Sequence, residues 1–124
     1  MSYLLDVSAL VARLWKTHEF HTRAKSWMED KTLVVCPITE LGFLRIATQA
    51  FGMEMDDARE ILKRFLQEYK PGFIPCDLRA LDGSATPSGG KTTDFYLANL
   101  AQKHGLKWAT LDAEVKHPAA FLIP

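Results

Sequence analysis

The 124 residues are enough for one domain with one core, taken as residues 1–124, and their 48% hydrophobic and 24% charged content is that of a soluble globular protein. Fifteen Lys and Arg offset fifteen Asp and Glu, so net charge drives the chain toward neither nucleic acid nor an anionic membrane. The N-terminus has no basic run before its short apolar stretch, no segment nears the roughly 20 apolar residues of a membrane span, and Cys36 and Cys76 form no Cys-x-x-Cys; a cytoplasmic protein with two reduced thiols is expected.

The predicted elements alternate between strand and helix. Tyr3–Val7 reads as a short buried strand, and Ser8 as the cap of a helix to about Lys16, with Leu10, Val11, Leu14 and Trp15 as its apolar face. A second helix follows His18, with Ala24, Trp27 and Met28 inward. Leu33–Cys36 is a strand, and Pro37 opens a helix to about Ala50 at a position where its missing N–H costs little. After Gly52, Asp56 opens the most regular amphipathic helix, with Ala58, Ile61, Leu62, Phe65, Leu66 and Tyr69 on one side, ended by Pro71-Gly72. Phe73–Cys76 reads as a strand, Leu78–Leu81 as a short helix and Gly83–Gly90 as a mobile loop. A helix from about Thr93 to His104 stops at Gly105; Leu106–Thr110 is a strand, a short turn or helix follows Asp112, and Phe121–Ile123 is an edge strand. Trp15, Trp27 and Trp108 fall on core-facing positions. The alternation predicts an α/β fold: a three-layer α/β/α sandwich with a short, mainly parallel central sheet.

Four carboxylates stand out against this pattern. Asp6 ends an apolar strand, and Asp112 follows another. Glu40 shares a helical face with Phe43, Leu44 and Ala47, at +3, +4 and +7, and Asp94 shares one with Leu97, Ala98 and Ala101 at the same spacings. An acid on an apolar face is desolvated unless it meets a cation. In a parallel sheet, strand ends and helix starts share one rim, where ligands bind. Singly, each acid reads as a turn or helix-start residue; jointly, they suggest oxygen ligands for Mg²⁺ or Mn²⁺.

The segments Leu5-Asp6-Val7-Ser8-Ala9-Leu10, Pro37-Ile38-Thr39-Glu40-Leu41-Gly42-Phe43-Leu44-Arg45, Thr93-Asp94-Phe95-Tyr96-Leu97-Ala98 and Thr110-Leu111-Asp112 resemble, in order and spacing, the four acidic motifs of PIN-domain ribonucleases, and most nearly the VapC-like toxins of type II toxin–antitoxin modules. The resemblance covers the whole chain. It implies an endoribonuclease dependent on Mg²⁺ or Mn²⁺, with Asp6, Glu40, Asp94 and Asp112 as catalytic and metal-binding residues, inhibited by a cognate antitoxin and usually a homodimer. One position departs from the family: a basic residue often follows the fourth acid, and here Ala113 stands there, with Lys116 as a substitute.

Ser8 and Thr110 could orient the acids through their hydroxyls, or serve as helix cap and strand-end hydroxyl. Arg45 could bind phosphate or pair with an acid, and Lys91, in the loop beside Asp94, could contact RNA or stay solvated. Ala85–Thr92 fits a relaxed phosphate-loop pattern, but no strand runs directly into it. His18 and His21 lack a third ligand for zinc. The reading is a metal-dependent endoribonuclease acting on RNA; the alternative is a catalytically inactive RNA- or protein-binding module on the same fold.

Overall fold

The computed structural model describes residues 1–124. Its strands are β1 (Ser2–Leu5), β2 (Thr32–Val35), β3 (Gly72–Phe73), β4 (Lys107–Thr110) and β5 (Ala120–Leu122). Its helices are α1 (Val7–Leu14), α2 (His21–Met28), α3 (Pro37–Gln49), α4 (Met55–Tyr69) and α5 (Thr92–Lys103). The strands form one sheet in the order β3-β2-β1-β4-β5, and every pairing is parallel.

Strand side chains alternate between faces, so each of the three inner strands, β1, β2 and β4, feeds two cores. Leu5, Leu33, Val35 and Ala109 join Leu10, Met28, Phe43, Leu62 and Phe65 from α1 to α4 on one face. Leu4, Val34, Cys36 and Trp108 join Phe95, Leu97, Ala98, Leu100 and Ala101 of α5 on the other. This is the expected three-layer α/β/α sandwich, with the sheet wholly rather than mainly parallel.

Several boundaries differ from the sequence expectation, for local reasons. Asp6, not Ser8, takes the position before α1, and Ser8 turns its hydroxyl to the Asp6 carboxylate instead. Helix α1 stops at Leu14; Trp15 is already extended and stacks on Phe51, ring centres 4.4 Å apart, so it lies at the surface rather than in the core. Trp27 is likewise half-buried, against Tyr3 and Phe121, and only Trp108 is fully enclosed. Helix α2 starts at His21 because His18 closes a turn before it, its Nδ1 accepting the Phe20 N–H at 3.0 Å.

Strand β3 has two residues, not four. Ile74 N–H still reaches Val35 O at 3.1 Å, but Pro75 has no N–H to continue the ladder. The short helix expected at 78–81 is absent; that stretch is a turn closed by Asp82 on Arg79, with Leu81 98% exposed. No strand therefore enters the Ala85–Thr92 loop, as the phosphate-loop pattern would require. The 112–118 stretch is turn rather than helix. Cys36 is buried and Cys76 exposed, and both thiols are free.

Helices α1 and α3 approach closely at one glycine. A Cβ at Gly42 would fall 2.5 Å and 2.7 Å from the two methyls of Val7. Val7 is β-branched and cannot swing clear at low cost. Gly42→Ala should therefore destabilise by about 1–3 kcal/mol from overpacking, against a helix-propensity gain of about 1 kcal/mol. Urea denaturation of Gly42→Ala, and of Gly42→Ala with Val7→Ala, checks this: the second change should recover stability lost in the first.

Candidate functional site

The carboxyl ends of β1 and β4 bring Asp6 and Asp112 to one rim. Asp6 is fixed on both sides by its backbone. Its N–H extends the sheet to Ala109 O at 2.9 Å, and its carbonyl accepts the Leu10 N–H at 3.1 Å as α1 begins. The side chain is buried, with 4% of the residue exposed. Ser8 and Thr110 hydroxyls both donate to Oδ2 at 2.8 Å, leaving Oδ1 without a hydroxyl partner. Those bonds favour the charged form, but burial opposes it more strongly, and the nearby Asp94 charge adds to burial. The carboxyl is pushed up to about 6.

Thr110 also accepts the Asp112 N–H at 3.0 Å. One buried hydroxyl thus links the Asp6 carboxylate to the backbone of Asp112. Asp112 accepts the Glu114 N–H at 2.9 Å on Oδ1, and Lys91 Nζ lies 2.7 Å from Oδ2. Lys91 above all holds the Asp112 carboxyl below the usual range. Asp94, in the first turn of α5, is raised by burial, with Lys91 opposing and Asp112 reinforcing the rise. Asp6, Asp94 and Asp112 therefore share one field.

Glu40 stands apart. It occupies the first turn of α3, and burial alone raises its carboxyl. Its side chain lines a cleft of about 750 Å³ between α3 and α4, beside Leu41, Leu44, Leu62 and Leu66. The start of α3 is nonetheless tied close to Asp6, because Thr39 Oγ1 donates to Leu5 O at 2.8 Å. Arg45 is exposed on α3 with no carboxylate in reach, so the acid-pairing alternative is not realised. Lys116 is exposed, its ammonium on Ala113 O at 3.2 Å, in a cleft of about 430 Å³ that Thr110 and Asp112 also line.

Sequence reasoning passed over Thr39 and Asn99, both buried. Thr39 shares a helical face with Gly42 and Phe43, and Asn99 interrupts the apolar run of α5. A polar residue inside an apolar helical face was the available signal, because such a group must find a partner. Asn99 accepts the Ser84 N–H at 3.1 Å and donates to Ser84 O at 2.9 Å, pinning the start of the 84–91 loop.

The donors suit a hard divalent ion. They are all carboxylate or hydroxyl oxygens, Asp6 keeps one oxygen free of hydroxyl donors, and three like charges face one another with a single lysine among them. As they stand, no three acidic, histidine or cysteine side chains draw close enough to encircle an ion, and Lys91 holds Asp112 to one side.

A parallel α/β/α sandwich with aspartates gathered at the carboxyl rim is a PIN-like arrangement, and the PIN domain family model matches residues 3–120. The chain belongs to the PIN domain family and is VapC-like. It is similar to Ribonuclease VapC38 of Mycobacterium tuberculosis (strain ATCC 25618 / H37Rv), with 33% identity over 123 residues, 90% of this chain and 86% of that protein. Ribonuclease VapC44 of the same organism is 30% identical, covering 93% of this chain and 89% of its own length. Ribonuclease VapC29 is 29% identical, covering 100% of this chain and 98% of its own.

The raised Asp6 carboxyl has a thermodynamic signature. Its ordinary value is 3.8 and its folded value about 6. Below the lower value the group is protonated in both states and costs nothing; the penalty grows between them and is full above the higher. About two pH units correspond to about 3 kcal/mol. In chelator, Asp6→Asn should therefore gain stability over the parent as pH rises from 4 to 6, then level off. Denaturant titrations at a series of pH values check it; a difference that is flat with pH would show that Asp6 is not held against its charge.

Proposed function

We propose that this chain is a metal-dependent endoribonuclease that hydrolyses RNA phosphodiester bonds, and the toxin of a toxin–antitoxin pair. The observation that carries the reading is a desolvated Asp6, held against its own charge beside Asp94 and Asp112 on the carboxyl rim. The ribonuclease names of its VapC relatives support the same reading.

Asp6, Glu40, Asp94 and Asp112 are the residues that would hold Mg²⁺ or Mn²⁺. When bound, such an ion neutralises the acids, activates water and stabilises a departing oxygen. The protein's own residues set the geometry. Ser8 and Thr110 lock the Asp6 carboxylate by its Oδ2 and leave Oδ1 without a hydroxyl donor. Thr110 fixes the backbone of Asp112, and Thr39 docks the helix that carries Glu40. Removing such orienting groups costs about 10–100-fold in metal affinity or activity. Arg45, Lys91 and Lys116 would supply positive charge for the RNA backbone. Hydrolysis by water breaks the bond from phosphorus to the 3′ oxygen and leaves a 5′-phosphate and a 3′-hydroxyl.

The partners on this reading are RNA and a cognate antitoxin, and the chain acts as a homodimer. The cleft between α3 and α4 suits an amphipathic antitoxin segment: Leu41 is 64% exposed there, and Glu40 at its end would receive a basic side chain.

Cleavage of end-labelled RNA should require Mg²⁺ or Mn²⁺, stop in chelator and leave 5′-phosphates. Asp6→Asn, Glu40→Gln and Asp94→Asn should each lower the rate at least on the order of 10²-fold with the fold intact. Asp112→Asn should be the mildest, since water can replace one ligand in a Mg²⁺ shell. Cyclic 2′,3′-phosphate ends formed in chelator would mean that the RNA's own hydroxyl attacks, and the carboxylate mechanism would be wrong.

A further inference from the structure

Lys91 is the only cation within ion-pair distance of any of the four acids. Its position in the chain gives that contact a second meaning. Lys91 ends a single helical turn, Gly89–Lys91, that runs directly into α5, three residues before Asp94. Ahead of it, Gly89 and Gly90 lie in open space, where an added Cβ would meet nothing within 4 Å.

Further back, the loop is anchored. The buried amide of Asn99 grips Ser84 by both backbone groups. Gly83 packs so tightly against that amide that a Cβ would lie 2.6 Å from Asn99 Cγ. His117 completes the grip: its Nδ1 accepts the Ala119 N–H, so Nε2 carries the proton and donates to Asn99 Oδ1 at 2.8 Å. Between these ends the hydrogen bonds are local, from Thr86 to Ser88 and from Thr92 to Gly89. The loop is a strap, bolted at Ser84 and held across the acids by one ion pair, Lys91 to Asp112.

We propose that Lys91 is a built-in counter-ion that occupies Asp112 until a divalent cation takes it, so that metal binding and release of the 85–91 strap are a single exchange. The inference rests on the metal-dependent reading of the acid site. Two cations cannot both sit at bonding distance from Asp112 Oδ2 without strong repulsion. A metal that uses that oxygen must displace the ammonium, and the two glycines give it freedom to leave. The released ammonium stays tethered three residues from Asp94, where the backbone of a bound RNA would lie. Toward the metal, Lys91 acts through Asp112.

The test is calorimetric titration of Mn²⁺ into wild type, Lys91→Met, Asp112→Asn and the double variant, without RNA. Lys91→Met should tighten Mn²⁺ binding about two- to fivefold, the worth of a partly exposed ion pair. The gain should vanish in the Asp112→Asn background. Hydrogen exchange at residues 85–91 should quicken when Mn²⁺ is added to wild type. Unchanged or weaker Mn²⁺ binding by Lys91→Met, or exchange that slows with metal, overturns the counter-ion role while leaving a metal-dependent nuclease standing. Wild type that binds no Mn²⁺ overturns both. Lys91→Gln, which keeps a polar side chain of similar length, serves as the second variant and should behave as Lys91→Met.

Discussion

The burial of one carboxylate organises this molecule. Asp6 continues a strand whose Leu4 and Leu5 are fully enclosed, so its own side chain is carried into a dry environment by its neighbours. An ionised carboxylate there is unfavourable, and two hydroxyls only partly offset the burial. Everything around Asp6 answers to that. Ser8 gives up the capping role its position suggests, Thr110 bridges to Asp112, and Thr39 brings the start of α3 against β1. Burial and the neighbouring Asp94 both disfavour the Asp6 charge, so the domain folds around a group that its surroundings hold against ionisation.

The parallel sheet is what makes such a gathering possible from distant parts of the chain. Strands β1 and β4 are neighbours in register, Leu5 opposite Ala109, although about a hundred residues separate them. Residues just past their ends therefore emerge side by side. Each βα crossover then starts its helix at the same edge, where the helix N-terminus favours negative charge. Asp94 and Glu40 reach the rim through α5 and α3 in this way. Glu40 is set off toward the α3–α4 cleft because that helix also packs on α4.

How much of this was legible in the sequence follows from the range of the forces involved. The alternation of strand and helix, the Pro37 start, the Gly105 stop and the apolar faces of α4 and α5 are local signals, and they placed those elements to within a residue or two. The four acids were visible because each interrupts an apolar pattern. Strand β3 was overextended because apolar content outweighed Pro75, whose missing N–H ends the pairing. A short helix at 78–81 does not form, because Leu81 has nothing to pack against. Trp15 and Trp27 were placed inward by helical spacing, whereas the early end of α1 turned one of them out. The hydroxyl bridge of Thr110, the Asn99 grip and the Lys91 ion pair join residues 15 to 104 positions apart, which no local pattern encodes.

The outer strands of the sheet have a consequence for how copies of this protein meet. Strand β3 has two residues, bounded by Pro71 and Pro75; β5 has three, with Pro118 before it and Pro124 after it. Neither edge offers a run of free N–H and C=O groups long enough for another strand to add. Exposed Phe73 and Leu122 sit on these edges without becoming templates for cross-chain ladders. Contact between copies through these edges is thereby disfavoured. The prolines that bound β3 and β5 thus act as a guard against edge-to-edge polymerisation.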